Sequence, residues 1–153
     1  MNPRRRLVAA TSVAIALGAL TACEKPAPIV TVVNGGNSVY AEANTYCFDG
    51  QSAAEANCAT RQDGSTVLEV LGGQTVGVDV DKALLDGGWL IELSDPDAAG
   101  EQAQPQQSEV QNEHYFTFTA PNLPMGGSLL LTVRSLNEEQ NATGAWLFTL
   151  VPR

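Results

Sequence analysis

One histidine, His114, is all the imidazole in this 153-residue chain, and 8 Lys and Arg stand against 17 Asp and Glu, a net charge of −9. Each scarcity excludes something. Nucleic-acid affinity is supplied largely by Lys and Arg neutralising phosphates, so a chain this acidic is no nucleic-acid binder, and it lacks a basic face for anionic lipid headgroups. A serine hydrolase built on a strained turn needs a surround such as Gly-x-Ser-x-Gly. Neither Ser65 nor Ser128 has one, and a Ser-x-x-Lys pair is absent. His114, isolated beside a strand start, reads as a solvated or capping residue rather than a base. Carboxylate pairs drawn from 17 acids carry no weight for a two-carboxylate hydrolase. Calcium loops set oxygens at alternating positions before a bidentate glutamate, and neither Asp79, Asp81 and Asp86 nor Asp95 and Asp97 are spaced that way. No catalytic, cofactor or metal residue is therefore expected. The longest apolar block, Leu7 to Leu20, also falls short of the roughly 20 residues that a membrane-spanning helix needs.

What that block does have is context. Arg4, Arg5 and Arg6 precede it, and Leu20-Thr21-Ala22-Cys23 follows. A basic start, an apolar stretch of roughly 7–15 residues and small residues before a cut define an export signal, and the cysteine makes the stretch resemble a bacterial lipobox. The resemblance implies that residues 1–22 are removed and that Cys23 becomes a mature N-terminus thioether-linked to diacylglycerol, with acyl chains such as palmitate. Two acyl chains, at about 0.8 kcal/mol per buried methylene, hold a protein stably at a membrane. The expected location is the outer face of the cell membrane, reached by general secretion or by the twin-arginine route. Losing three of the eight basic residues leaves five against 17 acids, a net charge of −12 on the remaining 131 residues.

With Cys23 committed to lipid, Cys47 and Cys58 remain in an oxidising compartment, and a disulfide is the natural reading. Closing a loop of this size stabilises by about 3 kcal/mol in the chain-entropy model. A structural zinc site wants four Cys or His ligands, and only His114 is left to add.

Residues 23–28 form a linker with two prolines, and 29–153 has the size of one domain with a single core. Ile29–Val33 and Ser38–Ala43 around Asn34-Gly35-Gly36-Asn37 read as a hairpin. The segment from Tyr46 to Cys58 lacks alternation and is expected to be a loop or short helical turn. Thr66–Leu71 and Thr75–Val80, joined by Gly72-Gly73-Gln74, read as an antiparallel pair. Asp81 is placed to cap one helical turn before a strand at Trp89–Ser94. Asp95–Glu113 abandons periodicity and is expected to be disordered. Strands at Tyr115–Ala120, Ser128–Leu136 and Gly144–Val151 complete the chain, with Trp89 and Trp146 expected in the core rather than stacked on sugars. The pattern predicts an all-β fold, an immunoglobulin-like antiparallel β-sandwich of about seven or eight strands, with a small β-barrel as the alternative.

The order of lipobox, short Pro-containing linker, first hairpin, and Tyr46-Cys47-Phe48-Asp49 with a second cysteine at Cys58 is similar to a family of actinobacterial lipoproteins known only as a domain of unknown function. No activity or catalytic residue comes with that resemblance. The functional expectation is a lipid-anchored, non-enzymatic envelope lipoprotein that meets the membrane through Cys23 and presents loops and strand edges to an envelope protein partner. The alternatives are a carrier of a small apolar ligand or lipid, which needs a pocket of some 300 Å³ or more between the sheets, and an envelope hydrolase built around His114.

Overall fold

Valines at every second position decide where the first sheet buries its face. Val30, Val32, Val76, Val78 and Val80 are at most 3% exposed, while their neighbours Thr31, Val33, Thr75 and Asp79 point outward or are half-covered. β-Branched side chains on a pleated strand do this because successive residues face opposite sides. The computed structural model describes residues 25–54, 58–61, 64–99 and 104–153. The expected signal segment 1–22 and the lipid-bearing Cys23 lie outside these.

In chain order the strands are β1 (Ile29–Asn34), β2 (Asn37–Glu42), β3 (Thr45–Tyr46), β4 (Ala59–Thr60), β5 (Thr66–Val70), β6 (Thr75–Val80), β7 (Trp89–Ser94), β8 (Gln106–Gln107), β9 (Tyr115–Thr119), β10 (Leu129–Leu136) and β11 (Ala142–Pro152). A 3-10 turn at Lys82–Leu84 follows Asp81, whose carboxylate accepts from the Ala83 N–H, as its position predicted. One sheet runs β2-β1-β6-β9 and the other β4-β3-β11-β10-β7-β8, with β5 added along β11. The two sheets do not close on each other, so the molecule is a sandwich and not a barrel. The order β1-β6-β9 against β11-β10-β7 is the A-B-E and G-F-C arrangement of immunoglobulin-like sandwiches, and Trp89 stands on the equivalent of strand C, where such domains bury a tryptophan. Trp89, Trp146, Phe148, Leu131, Leu150 and Val133 are all 0% exposed between the sheets, so both tryptophans are core residues.

Two expectations fail. β5 and β6 are not a hairpin: β5 pairs parallel with β11, Leu68 opposite Leu150, while β6 pairs antiparallel with β1 in the other sheet. The chain crosses between sheets at Leu71–Gln74, where Gly73 takes φ +80° and its N–H donates to the Ala120 carbonyl at 2.9 Å. Leu68 and Val70 face the core, so the segment is a strand, as expected, with a different partner. The second failure is the disordered loop. Of its described residues, 95–99 and 104–113, the second run lies along β7 as β8 and a continuing edge: Ser108 N donates to Ile91 O at 3.0 Å, and Trp89 and Gln111 exchange bonds of 3.0 and 2.7 Å. A covering strand bonded through its backbone needs no apolar alternation, which is why its Gln-rich composition concealed it.

The strands give the molecule two ends. The chain enters at Lys25–Pro28, and the starts of β1, β7, β9 and β11 gather there with the ends of β2, β6 and β10. The turns Asn34–Asn37 and Leu71–Gln74, the β9–β10 loop and the C-terminus lie at the far end.

Candidate functional site

At the entry end, the segment between β2 and β5 is zipped onto the first half of β11. Asn44 N donates to Ala145 O at 2.8 Å, Cys47 N to Thr143 O at 2.9 Å and Ala53 N to Ala142 O at 2.8 Å. The Asn44 side-chain oxygen accepts from Leu147 N at 3.0 Å. Cys47 and Cys58 are joined, the pairing expected of the two remaining cysteines, with Cα atoms 4.6 Å apart. The bridge lies at the rim rather than between the sheets, and it clips β3 and β4 to an edge they would otherwise hold with two residues each. The described residues between Cys47 and Cys58 are turns and coil, the expected loop, and the short ladder of β3 and β4 closes its base. The Trp146 indole N–H donates to Pro28 O at 2.9 Å, which fixes where the linker leaves the domain.

Beside this clip, Tyr46, Phe48, Asp49, Asp86, Glu138 and Glu139 border an open cleft of about 450 Å³. Its walls are held by Asn137, whose side chain accepts from the Glu139 and Asn141 amides and donates to Gly50 O. Burial first, and then the charges of Asp81 and Asp86, push the Tyr46 phenol above its ordinary value. Four carboxylates and a phenol make an acidic surface.

The sequence candidates for chemistry stay apart. His114 Nδ1 donates to the Val80 carbonyl at 3.0 Å, the single hydrogen-bond partner of its ring among the described residues. Asp95 caps a turn by accepting from Asp97 N. Among the described residues no group of three His, Cys, Asp or Glu is placed to hold a metal. Two shallow grooves flank the linker, one against Leu85, Ala83 and Lys82 and one against Ala43, Phe48 and Arg61. These three clefts, formed by described residues, are not lined by the inter-sheet valines, leucines or tryptophans.

The feature sequence reading missed is the free edge of β9. Val80 N donates to His114 O and Ala120 N to Gln74 O, so residues 114, 116, 118 and 120 turn their backbone groups toward β6, and Tyr115, Thr117 and Thr119 turn theirs outward. No strand of the described residues pairs with that side. The edge reads Tyr-Phe-Thr-Phe-Thr, with neither charge nor proline and with an unbroken register to β6. Phe116 and Phe118 face inward, Phe116 edge-on to Trp89 with ring centres 6.3 Å apart. Tyr115, 52% exposed, lies across Gly77: a Cβ there would stand 1.9 Å from its hydroxyl. The ring thus covers the sheet's outer face and leaves the edge open. Alternating Phe116 and Phe118 announced a core strand, and that it is also an edge depends on topology.

No family model, curated protein or solved structure matches the chain.

Proposed function

We propose that this protein is a lipid-anchored envelope module, non-enzymatic, held at the outer face of the cell membrane through Cys23 and engaging a protein partner with its sandwich. The observation that carries the interaction half is the bare, uncharged β9 edge. Long flat edges are the part of a sheet that proteins otherwise shorten, charge or cover, because unpaired N–H and C=O groups recruit another chain. The anchor half is supported by the lipobox-like residues and by the geometry of the entry end, where Lys25 starts two residues from Cys23 and the linker is pinned by Trp146. An apolar-ligand carrier would need an inter-sheet pocket, whereas the clefts described above lie outside the inter-sheet core.

Cys23→Ser tests the anchor: the variant should move from the membrane pellet to the soluble fraction, and detergent-dependent membrane association of the variant would overturn it. Photo-crosslinkers at Tyr40, Thr117 and Met125, three exposed positions on separate surfaces, test the module in membranes. Adducts of defined mass from at least one of them are expected; a protein that crosslinks only to lipid at all three would overturn the interaction reading.

A further inference from the structure

We infer that the free edge of β9 accepts an extended segment of a partner polypeptide as a fifth strand of the β2-β1-β6-β9 sheet, a segment uncharged along its pairing residues and carrying a base at the end that meets Asp79 and Glu113. This rests on the interaction-module reading and names the partner's chemistry.

Comparison of the edges within this one molecule carries the inference. The seven-stranded sheet ends in β4 and β8, two residues each and too short to template a ladder, and in β5, which carries the exposed charge of Glu69 within its five residues. The outer side of β11 is shared by β3 and β5. β2 is crossed by Thr66, whose hydroxyl donates to Tyr40 O, and ends in the Glu42–Arg61 ion pair. Short strands and charges of this kind are the usual protections of an edge. β9 has five residues and none of these protections. Its three outward residues offer an N–H and a C=O each at Tyr115, Thr117 and Thr119, which is the recognition element for strand addition, where main-chain bonds give affinity and alternate side chains give specificity.

Charge selects the occupant. No residue charged at neutral pH lies on the strand, but Asp79 is paired with Tyr115 and Glu113 stands two residues before it, while the other end runs into the uncharged Ala120-Pro121-Asn122. The edge is therefore negative at its entry end and neutral at its far end. A second copy fits poorly. Two identical edges close a two-fold dimer only in antiparallel pairing, which would send the two entry ends, and hence the two lipid anchors, in opposite directions. In a parallel ladder one residue bonds to two on the neighbouring strand, so no two-fold axis relates the strands. Each copy would moreover bring a like net charge.

The test uses the full-length protein in detergent and the end-blocked synthetic peptide Lys-Thr-Val-Thr-Val-Thr-Lys, which sets a base beside Asp79 and Glu113 in either strand direction, with a Glu-headed version carrying Glu at both ends and a version N-methylated at alternate amides. Amide hydrogen exchange is read residue by residue. Saturating Lys-headed peptide should slow exchange at Tyr115, Thr117 and Thr119 by about tenfold or more, with Phe116 and Phe118, already bonded to β6, unchanged. The Glu-headed peptide should bind about two- to fivefold more weakly, the range of an exposed ion pair, and the methylated one should give no protection. Thr117→Pro removes one outward N–H and no bond to β6, so it should keep the native melting temperature and lose peptide protection. If that variant is destabilised, Thr117→Lys on the same edge supplies the comparison. Absent protection, or protection unchanged in both variants, would overturn the inference. So would a concentration-dependent dimer without peptide that Thr117→Pro dissolves, since the occupant would then be a second copy. If strand addition fails while crosslinks from Tyr40 or Met125 persist in membranes, the module reading stands without it.

Discussion

A single indole hydrogen bond decides how the linker meets the domain. Trp146 is fully buried, and its N–H would cost about 1–3 kcal/mol if left unpaired; the Pro28 carbonyl 2.9 Å away satisfies it. Tyr46 is a second residue whose environment makes a testable demand. Its phenol is pushed up by burial and by Asp81 and Asp86, so the folded protein keeps this proton at pH values where the unfolded chain, near its ordinary pKa of about 10, releases it. The stability from the neutral phenol is complete below that value and is lost as pH rises toward the raised folded one. Thermal midpoints measured from about pH 8 to 12 should therefore fall less steeply for Tyr46→Phe than for the parent, and parallel alkaline limbs would show that the phenol is not responsible. At the disulfide, Cys47→Ala, Cys58→Ala and the double change should each cost about 3 kcal/mol in urea unfolding, with no further loss in the double variant, because all three remove one bridge. A doubled loss would mean the thiols act separately. These residues were legible from sequence for a simple reason. Two cysteines have only one way to pair, and a tryptophan among alternating apolar residues belongs inside, whereas Tyr46's charged neighbours come from a turn some 35 positions on.

At the scale of elements, the eight strands of five or more residues were all readable, because each alternates on one buried face. Their partners were not. β5 sits beside β11 rather than β6 through a parallel ladder to residues near the C-terminus, a choice that neither the glycine turn nor the alternation encodes. β8 was invisible since Gln106 and Gln107 bury nothing and bond through the main chain. That correction changes what a deletion should do. Replacing residues 104–111 by a Gly-Ser connection removes the bonds of Ser108 and Gln111 to Ile91 and Trp89 and the Gln107 contact to Glu92, itself paired with Arg134. At about 1 kcal/mol net per bond, the loss should be about 3–4 kcal/mol, measured as a lower urea midpoint. A change within about 0.5 kcal/mol would mean the segment covers β7 without stabilising it.

For the whole molecule, the all-β class followed from repeated short alternation between Gly, Pro and Asn turns, while the open edge did not, because an edge is defined by what is missing beside it. The acids are also unevenly shared: Asp49, Asp81, Asp86, Glu138 and Glu139 gather at the entry end, whereas the far-end turns Asn34–Asn37, Leu71–Gln74 and Pro121–Ser128 carry no charge at all. One consequence of the layout is mechanical. The linker continues directly into β1, which is bonded along both sides, to β2 over six residue pairs and to β6 over five. Antiparallel bonds run perpendicular to their strands, so tension applied through the linker along β1 loads both ladders in shear at once instead of peeling them bond by bond. A pull applied at Lys25 would meet the sheet in its most resistant direction, and the Trp146 indole on Pro28 would be the first bond to feel it.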